Sequence, residues 1–165
     1  MATHAYEFAS GTYRMTWGGA VLGQTEEGVR FDLVYAGEPV RGDNLAETVQ
    51  DIIYRGGNVF AEFTLIEYKK AEAAKVFFPW NATFGTVGII GRMAQLSTLS
   101  KALVLTAVSG APCFYATITA DQAILAEGHS IGHLLGPTLH RVPIRLQLLP
   151  SGAVDAEKWF TAAAA

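Results

Sequence analysis

The sequence predicts a mainly β domain: a two-sheet β-sandwich or barrel with one flanking α-helix and a long hairpin loop. Three observations carry this. Runs of β-branched and aromatic residues recur roughly every 8–15 residues. Gly, Pro, Asn and Asp cluster between the runs as turn chemistry. Only one stretch, Lys69 to Val76, gathers helix formers, and Pro79 stops it.

The elements follow in order. Residues 1–11 read as a flexible N-terminal arm that holds two aromatics, Tyr6 and Phe8. Thr12 to Trp17 is a short strand, broken by Gly18-Gly19 and resumed at Ala20-Val-Leu22. Gly23 to Gly28 is a polar turn. Val29, Phe31, Leu33 and Tyr35 alternate with Arg30 and Asp32, the period-two mark of a half-buried strand. Gly37 to Glu47 contains Pro39, Gly42, Asp43 and Asn44 and reads as a long polar loop. Thr48 to Tyr54 is a strand, Arg55-Gly-Gly-Asn58 a turn, and Val59 to Tyr68 a second strand. Glu62 alternates away from Ala61 and Phe63, toward solvent, a partner subunit or a pore.

The Lys69–Val76 helix carries a small apolar stripe of Ala71, Ala73, Ala74 and Val76, suited to packing on a sheet. Phe77, Phe78 and Trp80 follow it, either as core or as aromatics at a subunit contact. Beyond them, Ala102 to Val108 is a strong strand, Cys113–Thr119 and Gln122–Leu125 are shorter ones, and Leu139–Leu149 is the last. Pro143 inside that strand marks an edge or a bulge. Asp155 to Phe160 reads as a fragment of helix within a C-terminal tail, 151–165.

Composition bounds the function. The chain has 165 residues, which places it in one domain, 1–165, able to bury a core without a disulfide or metal. Half of the residues are hydrophobic and 16% are charged, against about 25% in average soluble domains. That imbalance asks for hidden apolar surface beyond a monomer core, and oligomerisation supplies it most simply. No run reaches the roughly 18 apolar residues of a spanning helix. The first ten residues lack a basic region and do not resemble a secretory signal. A net charge of −3 argues against a sequence-reading nucleic-acid protein. The single cysteine, Cys113, reads as a small buried hydrophobe.

Candidate chemistry is sparse. Gly128-His-Ser-Ile-Gly132 fits a nucleophile elbow around Ser130, with Asp155 and His133 or His140 as partners. An elbow needs a helix after the serine, and Gly132, Gly136 and Pro137 oppose one; no histidine follows Asp155. Ser130 is therefore expected not to be catalytic. His129 and His133 have metal-ligand spacing but too few companions for a site. Gly85, Gly88 and Gly91 do not have the spacing of a dinucleotide fingerprint. The expectation is no catalytic, cofactor or metal residue.

Three segments together resemble one family. They are Thr16-Trp-Gly-Gly-Ala-Val-Leu-Gly-Gln-Thr-Glu-Glu-Gly-Val-Arg-Phe31, then Asp51-Ile-Ile-Tyr-Arg-Gly-Gly57 with Val59 to Tyr68, and Arg141-Val-Pro-Ile-Arg-Leu-Gln-Leu-Leu-Pro150. Their order, over most of the chain, is similar to that of the phage tail tube (major tail) proteins. The resemblance implies a tail-tube-like fold, with six subunits in a ring and stacked rings forming the conduit through which DNA leaves the capsid without sequence-specific binding. The Gly37–Glu47 loop would reach a neighbouring subunit or ring, with Arg41, Asp43, Asn44 and Glu47 as its contact residues and Tyr6, Phe8, Phe77, Phe78 and Trp80 as subunit-contact aromatics. Implied partners are further copies of itself and the tape measure, terminator and baseplate proteins. The implied place is the virion tail, assembled in the host cytoplasm. Tail terminators and baseplate hub rings share the fold and stand as alternatives. A small-ligand β-barrel, which needs one apolar cavity, and an enzyme are the readings from other classes.

Overall fold

A computed structural model describes residues 13–41, 48–67, 97, 99–108, 113–129, 141–153 and 157–164. Nine strands lie among them: β1 (Tyr13–Trp17), β2 (Ala20–Val21), β3 (Gln24–Thr25), β4 (Arg30–Arg41), β5 (Val49–Glu67), β6 (Lys101–Ala107), β7 (Tyr115–Leu125), β8 (Val142–Leu148) and β9 (Thr161–Ala164). All of their pairings are antiparallel, in one sheet with the order β2-β1-β6-β7-β8-β5-β3. β4 lies on β5 and β9 on β7. The protein is thus mainly β. The expected helix over Lys69–Val76, the aromatics Phe77, Phe78 and Trp80, and the arm with Tyr6 and Phe8 lie outside the described residues.

One face of this sheet is the core. Val59, Ala61, Phe63 and Leu65 of β5 stand opposite Leu148, Leu146, Ile144 and Val142 of β8, and all eight are buried. The same face continues through Leu103 and Leu105 of β6 to Met15 and Trp17 of β1. A bulge in β7 keeps it continuous. Leu103 pairs with Ala120 but Lys101 with Ala123, so β7 holds one extra residue. The parity resets there, and Ala123 joins Ile118 and Ala120 in the core.

The sheet curls around this face. The Trp17 indole Nε1–H on β1 donates to the Ala123 carbonyl on β7, two strands away, at 3.1 Å. Residues from β1, β6 and β7 also face Val29 and Phe31, beside β5 at the far end of the strand order, across one recess.

Several expectations need correction. Arg55–Asn58 is not a turn, because β5 runs unbroken through it for 19 residues. Gly56, at φ +127°, and the unpaired Arg55 form a bulge there instead. Gly and Asn do permit unusual backbone at this point, but the backbone uses it to kink rather than to reverse. Gly37–Arg41 is not loop. It belongs to β4 and pairs with Val49–Tyr54. Cys113–Thr119 and Gln122–Leu125 give one bulged strand, not two.

Leu139–Leu149 is not the last strand. The chain leaves β8, forms a Ser151–Lys158 bridge where a helix fragment was expected, and returns as β9. β9 occupies the lane beside β7 that β8 has vacated: β8 pairs with Ala123–Leu125 and β9 with Tyr115–Thr119. Trp159 packs against the core, and Phe160 meets Phe31 with ring centroids 5.4 Å apart.

Candidate functional site

The most unusual surface is a two-stranded arm. β4 and β5 pair from Arg30–Glu62 out to Arg41–Val49. Only the inner part of β5, Val59–Leu65, has β8 on its other edge. Leu33–Arg41 and Val49–Arg55 are exposed throughout. Nine residues of strand at about 3.3 Å each carry the arm on the order of 30 Å from the body.

Pairing register decides which side chains share a face. Directly opposed residues lie on one side, and alternate residues follow them. Phe31 opposes Ala61 and Leu33 opposes Val59, so Leu33 and Tyr35 continue the core face outward. The bulge at Arg55 resets β5. Tyr54 then opposes Gly37 and Ile52 opposes Pro39, which puts both on that same face. A second irregularity, between Val40 and Arg41, sets Val49 opposite Arg41 at the outer end.

The apolar face of the arm is therefore Leu33, Tyr35, Tyr54, Ile52 and Val49. The packing agrees with this. A methyl group at Gly37 would meet Ile52 Cγ2 at 2.6 Å and Tyr35 Cε2 at 3.5 Å, and one at Gly57 would meet Tyr54 Oη at 3.1 Å. These glycines let the large side chains lie flat across the ribbon. Leu33 is 64% exposed, Tyr35 62% and Tyr54 59%. The opposite face mixes Val34, Val40 and Ile53 with Asp51, Asn58 and a Glu38–Arg55 ion pair.

Two hollows flank the Glu26–Gly28 segment at the root of the arm. One, about 440 Å³, is mixed: Tyr13, Met15, Val29, Phe31, Leu105 and Ile118 line it together with Thr25, Glu26, Glu27 and Gly28. The other, about 610 Å³, is charged, with Glu26, Glu27 and Glu62 among Arg30 and Arg145. Arg141 pairs with Glu26 at 2.6 Å, Arg30 with Asp32 at 2.7 Å and Arg145 with Glu62 at 2.8 Å. The Arg145 Nε–H is not aligned on the carboxylate, so this last contact is an ion pair without a hydrogen bond. The guanidinium also lies 4.1 Å from the Phe60 ring centroid. Each arginine here already faces a carboxylate, which leaves little field for an anionic ligand.

His129 borders the charged hollow but serves the backbone. Its Nε2 lies 3.2 Å from the Arg145 N–H and 3.1 Å from the Pro143 carbonyl, where β7 has ended and β8 lacks a neighbour. The ring takes the place of a strand residue. Pro143, which has no N–H to offer, sits on this locally open edge.

Of the residues expected to make contacts, Arg41 lies at the outer end of β4 on the apolar face of the arm. Asp43, Asn44 and Glu47 lie outside the described residues, as do Ser130, His133, His140 and Asp155. Glu62 points to the outer face and is half-buried against Arg145. Cys113 is buried. Among the described residues, no three His, Cys, Asp or Glu side chains gather as a metal site, and no helix is long and apolar enough to cross a membrane. No protein-family model matches the chain, and no curated protein matches it.

Proposed function

We propose that this chain is a self-assembling structural protein, the tail tube subunit of a phage. Its rings, of six subunits, stack into the conduit for DNA. The observation that carries the reading is the arm: a projecting ribbon whose apolar face, Leu33, Tyr35, Ile52, Tyr54 and Val49, is uncovered among the described residues. These side chains present on the order of 500 Å² of apolar surface, at the upper end of the largest patch on a typical monomer. A hydrophobic strand pair left open is also a template for unwanted pairing. An assembly that covers it removes both costs. The low charge fraction fits the same account, and so does the resemblance of the three sequence segments to tail tube proteins. In this reading the curled sheet is the two-sheet barrel or sandwich of that family. The partners are further copies, then tape measure, terminator and baseplate proteins, within the virion tail. A terminator or hub ring of the same fold uses the same arm.

The test is direct. Light scattering across a wide concentration range, with negative-stain microscopy of the same samples, is expected to show rings or tubes. A monomer at every concentration refutes the reading. Discrete rings that never stack favour the terminator or hub role.

A further inference from the structure

A single ring nitrogen faces two backbone groups of opposite kind. The Nε2 of His129 lies 3.2 Å from the Arg145 N–H, a donor, and 3.1 Å from the Pro143 carbonyl, an acceptor. Both groups flank Ile144 on the edge of β8 that β7 no longer covers, since β7 pairs with β8 only over Ala123–Leu125. A neighbouring strand would supply a C=O to the one and an N–H to the other at the same time. One ring nitrogen supplies a lone pair or a proton, never both.

The backbone holds the ring at this point. The Ala126 N–H donates to the Arg145 carbonyl at 2.9 Å, and the His129 N–H returns to the Ala126 carbonyl at 3.1 Å. Gly128, at φ +71°, makes the tight turn between them. The side chain therefore stays beside β8, and its protonation decides which group it serves. In the neutral ring with its proton on Nδ1, Nε2 accepts from the Arg145 N–H. The Pro143 carbonyl is then left to solvent, which a carbonyl tolerates better than an N–H does. Once Nε2 takes a proton from water it can only donate, and the Pro143 carbonyl receives it. The Arg145 N–H then faces another donor and is released.

We infer that His129 is a proton-operated latch on the edge of β8: neutral, it secures the Arg145 N–H; charged, it moves to the Pro143 carbonyl and frees that amide. Each state keeps one hydrogen bond, so the fold persists while the open backbone group changes. Imidazole changes charge between about pH 5 and about pH 8. Among the described residues around the same hollow, Glu26, Glu27 and Glu62 favour the added charge, and Arg30, Arg141 and Arg145 oppose it. The Arg145 guanidinium is paired with Glu62. The latch thus acts on the backbone of a residue whose side chain bridges β5 and β8. It is a property of the single subunit and does not depend on assembly.

The experiment is nitrogen NMR of the full chain, in solution or, where it assembles, in the solid state, with amide exchange measured on the same samples. At about pH 8 the neutral His129 ring is expected to carry its proton on Nδ1, with Nε2 bare. Between about pH 8 and about pH 5, protection of the Arg145 amide, corrected for the intrinsic pH dependence of exchange, should fall about three- to tenfold, the size of one hydrogen bond. The fall should follow protonation of the ring. His129→Gln places a side-chain amide there, which does not titrate and offers a donor and an acceptor together. In that variant the Arg145 protection should be level with pH.

A neutral ring with its proton on Nε2 overturns the latch, because the acceptor for Arg145 is then absent. So does an Arg145 protection that stays level while the ring of the original protein titrates. So does a pH dependence that survives in His129→Gln, since it then belongs to another group.

Discussion

Trp17→Phe tests whether the sheet curls as described. Trp17 is 1% exposed and lies on β1, yet its Nε1–H bonds the Ala123 carbonyl on β7 at 3.1 Å. Phenylalanine keeps a flat apolar ring but removes the donor and part of the ring volume. A loss of roughly 40 Å³, at about 24 cal/mol per Å³ of residual cavity, costs about 1 kcal/mol. The carbonyl left without this donor costs about 1–2 kcal/mol more, toward the low end because an under-satisfied C=O is tolerated better than an N–H. The Lys101 ammonium, 5.3 Å from the ring centroid, adds little at a site open to water. The sum is about 2–3 kcal/mol. At about 2–4 °C per kcal/mol for a domain of this size, the midpoint should fall by roughly 4–12 °C. Urea unfolding is the better assay, with the midpoint lowered and the slope unchanged. It should be run at a concentration below assembly, since association adds stability by mass action. A change under about 0.5 kcal/mol, the size typical of a surface substitution, would refute the packing of β1 across β7.

Three further outcomes are expected. Leu146→Ala, in the buried centre of β8, should cost about 2–5 kcal/mol, whereas Leu33→Ala on the arm should stay within about 0.5 kcal/mol, compared by urea unfolding. Gly56→Val places a β-branched residue at φ +127° in the bulge. It should cost about 1–3 kcal/mol and speed proteolysis between residues 49 and 58 relative to the body. His129→Ala removes the ring that meets the Arg145 amide; stability should drop by about 1 kcal/mol, and the Arg145 amide should exchange with solvent faster than its neighbours in β8.

Much of the sheet was legible because its core face obeys period two. The alternation of Val29, Phe31, Leu33 and Tyr35 revealed β4, although Leu33 and Tyr35 are exposed and not half-buried, and Ala102–Val108 revealed β6. What failed was the reading of punctuation. Gly37, Pro39 and the Arg55–Asn58 cluster look like loop and turn, yet all lie inside strands. Among the described residues β4 has β5 on one side only, so Pro39 and Gly37 need not complete a ladder on both edges. Gly56 makes a bulge in place of a reversal, a choice that depends on where β4 already lies. β9 failed for another reason. Thr161-Ala-Ala-Ala164 has one strand-favouring residue and three alanines, too weak a signal to detect, and it is placed by the lane that β8 leaves open beside β7.

The apolar face of the arm could not be read from sequence order at all. Asp51-Ile-Ile-Tyr54 is a continuous apolar run after one carboxylate, and such a run does not say which residues face together. The face exists only because one extra residue at Arg55 brings Tyr54 and Ile52 to the side of Leu33 and Tyr35. Without that bulge both would turn to the side of Glu38 and Asn58, and the ribbon would carry mixed character on each face. The bulge therefore sorts the arm into an apolar and a mixed side. Such sorting has no use to a lone ribbon in water, where both faces are solvated and an exposed tyrosine or isoleucine adds only aggregation risk. It has a use when one face is covered and the other is not. This is the physical reason to look for a cover beyond the described residues.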